Sequence, residues 1–185
     1  MFQHFQFDEV DSFTDDNIRP AAWYVYVIIS PFDALLVPSQ HENISKIIRY
    51  FGEITEQSAT IVSPANEKAQ ESTYNDVINH GGWSWHERRQ INKTPCLLFS
   101  RKQLNDVDPK LDTDSYFFLS LRCHLASSNI DDWEGLSLLF KALTRKLKSN
   151  GNIQHALAEY HRHRLWLGIK RIFKVIGMPK LPTRK

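Results

Sequence analysis

The chain has 185 residues, 42% hydrophobic and 24% charged, so it is long enough for one compact domain with an appendage and unlike a disordered chain. Its two cysteines are too few for a small disulfide scaffold, and its longest apolar run, AAWYVYVII, is far shorter than the roughly 20 residues that span a bilayer. The net charge of +2 conceals a split, because residues 1–140 carry 11 basic and 20 acidic side chains, whereas residues 141–185 carry 12 basic and one acidic.

This charge asymmetry, −9 against +11, predicts an electrostatic partner within the chain or outside it. The N-terminal residues are acidic and lack the apolar core of a signal peptide, and both cysteines lie in or beside apolar runs. We therefore expect reduced cysteines and a cytoplasmic protein.

The first predicted elements are an acidic arm over residues 1–19, with at most a short strand, and a strand over residues 22–30, AWYVYVIIS. Aromatic and β-branched residues without polar interruption are typical of a strand covered on both faces. The next segment, FDALLVP at 32–38, predicts a second strand or an extended connection.

A helix is predicted next, over residues 39–52. Ser39 and Glu42 match a capping box, apolar residues recur at helical spacing from Ile44 to Phe51, and Gly52 offers a stop. A short strand at 59–64, ATIVSP, and a polar, weakly helical segment at 66–82 should follow.

The second half continues this alternation. Pro95 precedes a strand at 96–100, CLLFS, and a polar loop at 101–115 leads to a strand at 116–125, YFFLSLRCHL. A helix capped by Asp131 or Asp132 carries an apolar face as far as Leu147, and SNGN at 149–152 separates it from one or two further helices.

Strands alternating with helices predict an α/β fold with a small mixed, partly parallel sheet of about four to five strands flanked by helices. The order of elements over residues 22–148 is similar to a thioredoxin-like arrangement, in which a proline precedes the strand at the point where Pro95 lies. The Cys-x-x-Cys of its redox chemistry is absent, so this resemblance implies no activity. A Rossmann-like or TIR-like domain fits nearly as well; TIR-like enzymes need a glutamate in a cleft, for which Glu87 is the candidate.

We expect an acidic arm at 1–19, a core domain at 20–149 and a basic helical extension at 150–185.

The segment GGWSWHERR, residues 81–89, concentrates side chains that could carry function. If it is extended, Trp83, Trp85 and Glu87 share one face, and His86 and Arg88 share the other. The tryptophans could roof the core, or they could stack on nucleic-acid bases while Arg88 and Arg89 bind phosphate. Glu87 and His86 are the candidates for a catalytic role, although an extended chain would aim these neighbours apart.

Other motifs are incomplete. The four aspartates of the 101–115 loop lack the glycine and distal glutamate of an EF-hand, and the chain has no phosphate-binding glycine loop and no nucleophile elbow. His80, His86 and Glu87 do not match a zinc motif. We therefore predict no metal site and no cofactor.

The C-terminal extension predicts a basic amphipathic helix, with apolar residues from Leu165 to Ile176 on one side. Its basic candidates for partner contact are Arg162, Arg164, Lys170, Arg171 and Lys174. This helix could dock on the core, bind nucleic acid, bind a partner protein or, less readily, lie on a membrane surface.

Together these patterns favour a non-catalytic binding or accessory protein that contacts nucleic acid or an acidic protein. One alternative is a small α/β enzyme acting on a nucleotide or other phosphate-containing ligand through residues 80–89. Another is a structural subunit of a larger assembly, in which the many aromatic side chains serve interfaces.

Overall fold

A computed structural model describes residues 6–31, 38–55, 59–92, 95–121, 139–146, 148–149, 158 and 162. The strands are β1 Gln6–Val10, β2 Tyr24–Ile28, β3 Thr60–Pro64, β4 Cys96–Ser100 and β5 Tyr116–Ser120. The helices are α1 Pro38–Thr55, α2 Glu67–Asn79 and α3 Trp85–Ile91, with a 3₁₀ turn at Leu104–Asp106. Residues 139–146 are also helical.

The five strands form one mixed sheet in the order β1-β3-β2-β4-β5. β3 pairs in parallel with both β1 and β2, whereas β4 pairs antiparallel with both β2 and β5. The α/β fold with a partly parallel sheet is thus confirmed. β2 lies at the centre, which explains why all five of its side chains are buried.

The two faces of the sheet are covered by different helices. Leu98 on β4 belongs to a buried cluster that also contains Val77 of α2 and Ile91 of α3. Its neighbour Phe99 points to the opposite face, where its ring lies 5.6 Å from that of Phe51 on α1. Helix α1 therefore packs on one face, and α2 and α3 pack on the other.

The acidic N-terminal segment contributes β1, which pairs along its whole length with β3. The Asp8 carboxylate accepts hydrogen bonds from the Arg19 side chain at 2.6 Å and from its backbone amide at 2.9 Å. The Asp76 carboxylate on α2 accepts from the Ser12 hydroxyl and from the backbone amide of Phe13. These bonds fasten the connection between β1 and β2 to the rest of the fold.

Helix α1 differs from its prediction at both ends. It begins at Pro38, so Ser39 lies inside the helix and is not its N-cap. Proline suits a first helical position because its missing amide has no intrahelical partner there. At the other end the helix continues past Gly52 to Thr55, whose hydroxyl donates to the Gly52 carbonyl at 3.1 Å.

The chain divides into two compact units, Met1–Ser128 and Asn129–Lys185. The sheet belongs to the first unit. In the second unit Leu139, Phe140 and Leu143 are buried, in keeping with the predicted apolar helix face. The predicted segment FDALLVP lies, except for Pro38, outside the described residues, as do residues 122–138 and most of the 150–185 extension.

Candidate binding surface on helix α3

Residues Trp85–Ile91 form a helix, so the extended geometry considered for residues 83–89 is wrong. The chain leaves α2, turns at Gly82 with φ of +97°, and starts a new helix at Trp85. Ser84 and Glu87 form a capping box, because the Ser84 hydroxyl accepts from the Glu87 amide at 3.3 Å and the Glu87 carboxylate accepts from the Ser84 amide at 2.6 Å. The spacing S-x-x-E is present in the sequence, so this signal could have revealed the helix.

The two tryptophans have opposite environments. Trp83 is 4% exposed, its indole N–H donates to the Val77 carbonyl at 2.7 Å, and its ring packs edge-on against Tyr116 and Phe118. Trp85 is 73% exposed. Trp83 therefore covers the core as one interpretation proposed, whereas Trp85 is presented to solvent.

One arginine of α3 contacts this exposed ring, and the second lies about one turn away on the same helix. The guanidinium carbon of Arg89 lies 5.4 Å from the centroid of the Trp85 ring, a cation–π contact. Arg88 is exposed, and its Nε donates to the Trp83 carbonyl at 3.3 Å. His86 is also exposed. Three of the predicted contact residues, Trp85, Arg88 and Arg89, thus lie together on one short helix.

Glu87 is engaged on both of its carboxylate oxygens. Oε2 accepts from the Ser84 amide, and Oε1 accepts from the hydroxyl of Tyr116 on β5. Burial raises the pKa of Tyr116 above its usual value, and the hydrogen bond to Glu87 raises it further. Glu87 therefore holds the start of α3 against the sheet.

The 101–115 loop closes over the same turn. Gly82 lies so near Pro109 that a Cβ atom added to the glycine would stand 3.3 Å from the proline Cδ. The Tyr116 hydroxyl, besides its contact with Glu87, lies 3.1 Å from the Pro109 carbonyl. Loop and helix are thereby joined, an arrangement that the sequence did not predict.

The loop that contacts this turn carries a second exposed apolar side chain. Leu111 is 82% exposed. Within the described residues, Trp85 and Leu111 are the only large hydrophobic side chains that are mainly exposed. We call Trp85, His86, Arg88 and Arg89 the α3 surface, and Leu111 lies on the loop that contacts the turn before it.

The aspartates of the 101–115 loop differ in their contacts and in their exposure to solvent. Asp112 accepts from the Lys102 ammonium on both carboxylate oxygens at 2.8 Å and from the Asp108 amide at 2.9 Å. Its pKa is lowered, chiefly by the hydrogen bonds from Lys102. Asp108 and Asp114 are exposed. No group of three or more potential metal-ligating side chains occurs in the part of the chain that the structure describes.

The remaining candidate residues are less informative. Cys96 forms no disulfide and is buried in β4. In the C-terminal extension, Arg162 is exposed and its Nε lies 3.4 Å from the Ala158 carbonyl that it donates to. The other basic candidates there, Arg164, Lys170, Arg171 and Lys174, lie outside the described residues. None of the described helices is long and apolar enough to cross a membrane.

Comparison with known proteins adds no family: no protein-family model, curated protein or solved structure matches the chain.

Proposed function

We propose that the protein is a non-catalytic accessory protein that binds an acidic protein partner through the α3 surface. The observation that carries this proposal is the exposed ring of Trp85, held beside two exposed arginines on a helix whose start is fixed by a capping box. A helix anchored in this way presents its side chains with little loss of conformational freedom on binding, which favours affinity.

The composition of the surface supports a protein partner. Tryptophan and arginine are the residue types most enriched among energetic hot spots of protein interfaces. Leu111 is a second exposed apolar side chain that a protein could cover, and the exposed charged side chains on its loop suit a polar rim. Carboxylates of the partner would pair with Arg88 and Arg89, whose guanidinium groups match a carboxylate in two-pronged geometry.

Nucleic acid is the second candidate. Trp85 could stack on a base, Arg88 and Arg89 could bind phosphate, and residues 141–185 supply a net charge of +11. The exposed apolar Leu111 favours the protein partner, because protein interfaces bury apolar side chains whereas a phosphate backbone offers this side chain no apolar contact.

The alternative of an enzyme acting through residues 80–89 has less support. A catalytic Glu87 would need its carboxylate in contact with substrate, and this carboxylate already caps α3 and accepts from Tyr116. His86 is exposed on α3 and adjoins Glu87 in sequence, where neighbours on a helix do not face each other.

For the finer topology we infer a thioredoxin-like arrangement in preference to a Rossmann-like one. A Rossmann-like sheet is mostly parallel, whereas β4 pairs antiparallel with both of its neighbours. The buried Pro95 directly before β4 supports this inference, because the thioredoxin-like arrangement has a proline before the corresponding strand. Cytoplasmic location is likewise a proposal, supported by the absence of a disulfide at the buried Cys96.

The experiment is site-specific photocrosslinking in cells that produce the full chain. A photoreactive amino acid replaces Trp85 in one variant and Leu111 in a second. The matched control carries it at Glu53, which is exposed on α1, the helix on the opposite face of the sheet. We expect the same acidic protein to be crosslinked from the first two positions and not from the third.

Nuclease treatment distinguishes the two candidate partners. If the crosslinked species disappears on nuclease treatment and contains no protein, the partner is nucleic acid and the proposal of a protein partner is wrong. Equal crosslinking from Glu53 would show that the α3 surface has no special role.

A further inference from the structure

A second feature of the molecule is a helix in its second unit that carries positive charge along one side. Residues 139–146 and residue 148 are helical. The side chains buried there are Leu139, Phe140, Leu143 and Thr144. Lys141, Arg145 and Lys148 are exposed, and their spacing of four and three residues places them together on the other side of the helix. We call these three residues the cationic row.

The cationic row has no acidic neighbour on its own helix. The sequence contains no aspartate or glutamate from Gly135 to Ala158, so the positions three and four residues from Lys141 and from Arg145 all lack an acidic side chain. Within the described residues, neither Lys141 nor Arg145 makes an ion pair. Like charges at this spacing destabilise a helix, and an anionic partner would relieve their repulsion.

The composition of this surface favours a phosphate backbone over a protein. Within the described residues, the large hydrophobic side chains that are mainly exposed are Trp85 and Leu111, and both belong to the first unit. The described part of the second unit therefore gives the cationic row no exposed apolar anchor. Protein interfaces depend on such anchors and are depleted in lysine, whereas lysine and arginine are the residues that neutralise phosphates.

The same composition distinguishes between phosphate-bearing partners. Single-stranded nucleic acid is bound by stacking of its bases on aromatic side chains, and duplex RNA is recognised through its 2′-hydroxyls as well as its phosphates. Attachment to a membrane surface uses the apolar face of a helix, which is buried here. Duplex DNA carries one charge per about 1.7 Å of its axis, so it offers several phosphates to a row that spans seven residues, or about 10 Å.

We propose that the cationic row binds the phosphate backbone of double-stranded DNA without reading its sequence. The proposal rests on Lys141 and Arg145, each of which neutralises one phosphate. The cationic row belongs to the second unit and α3 belongs to the first, so this proposal does not depend on the proposed function.

The test is fluorescence anisotropy of a labelled duplex DNA of about 20 base pairs, titrated with the full chain between about 50 and 200 mM salt. We expect a micromolar Kd at the lowest salt concentration and a steep loss of affinity as salt rises. Each neutralised phosphate contributes about 0.9 to the slope of log Kd against log salt concentration. Lys141→Gln combined with Arg145→Gln should therefore lower this slope by about 1.8 and raise the Kd at least about tenfold at low salt.

Two matched controls remove the same charge elsewhere. Lys68→Gln combined with Lys110→Gln changes exposed residues of the first unit, and Lys180→Gln combined with Arg184→Gln changes the end of the chain. Each pair should change the Kd by less than about threefold, because neither belongs to the cationic row. Glutamine forms helices about as well as lysine and arginine do, so all variants should keep the circular dichroism of the original chain.

Three results would overturn the proposal. The first is the absence of DNA binding at about 50 mM salt with about 100 μM protein. The second is an equal loss of affinity in either control pair, which would assign binding to net charge and not to the cationic row. The third is tighter binding of single-stranded DNA, duplex RNA, anionic lipid vesicles or polyglutamate, which would assign the row to another partner. Trp85→Ala should leave the titration unchanged, so failure here is distinguishable from failure of the proposed function.

Discussion

Replacement of Gly82 by alanine tests how the turn before α3 is built. Gly82 has φ of +97°, where a residue with a Cβ atom is strained by about 1–3 kcal/mol. The added Cβ would also lie 3.3 Å from the Cδ of the buried Pro109, so the loop would have to give way slightly. We expect Gly82→Ala to lower the free energy of unfolding by about 2 kcal/mol, which corresponds to a decrease in Tm of roughly 4–8 °C.

The neighbouring glycine provides the matched control. A Cβ atom added to Gly81 meets nothing within 4 Å, and this residue has no positive φ. Gly81→Ala should therefore leave stability unchanged or raise it by about 0.4–1 kcal/mol, because alanine restricts the unfolded chain. Urea denaturation followed by circular dichroism measures both variants. Equal effects of the two substitutions would refute the assigned geometry of the turn.

Three further predictions concern hydrogen bonds and pKa values. Tyr116→Phe removes the hydroxyl that donates to the Glu87 carboxylate, so urea titrations should find a free energy of unfolding lower by about 1.5–3 kcal/mol. A loss below about 0.5 kcal/mol would contradict a stabilising role for this hydrogen bond. Burial raises the pKa of Tyr26 and of Tyr116, so the neutral forms of both stabilise the fold below about pH 10, and this contribution is lost as pH rises further. Absorbance at 295 nm should show that these two tyrosines ionise only when the protein unfolds. Ionisation of all six tyrosines before unfolding would contradict this prediction. Hydrogen bonds from Lys102 lower the pKa of Asp112, so the contribution of Asp112 to stability is present above about pH 4 and is lost as pH falls through the lowered pKa. A ¹³C NMR titration should find a higher Asp112 pKa in the Lys102→Met variant. An unchanged pKa would count against the pairing of these two side chains.

Much of the fold could be predicted because its elements have strong local patterns. The uninterrupted β-branched and aromatic residues of β2 indicate a buried strand, and the structure places it at the centre of the sheet. The sequence pattern could not predict which strands are neighbours in the sheet. Alternation of helices and strands gives the order of the strands along the chain and not their order across the sheet. The pairing of β1 with β3 depends on contacts between segments far apart in sequence.

The candidate site shows where sequence patterns stop being informative. Trp83 and Trp85 are the same residue type two positions apart, yet one is buried and the other exposed. The difference arises because the chain changes from a turn to a helix at Ser84, so the alternation of an extended segment does not apply. The capping-box spacing could have shown the helix, but the packing of Pro109 on Gly82 is a long-range contact without a local signal.

The most direct test of the central claim is the affinity of the crosslinked partner for Trp85→Ala, measured by calorimetry with the purified full chain. Because Trp85 is exposed, its loss should change stability by no more than about 1 kcal/mol, the scale of its contact with Arg89. Truncation of a hot-spot tryptophan costs about 2 kcal/mol of binding free energy, so we predict an increase in Kd of about 30-fold, with Glu53→Ala unchanged. An unchanged Kd for a folded Trp85→Ala would contradict the assignment of the α3 surface as the site of partner binding.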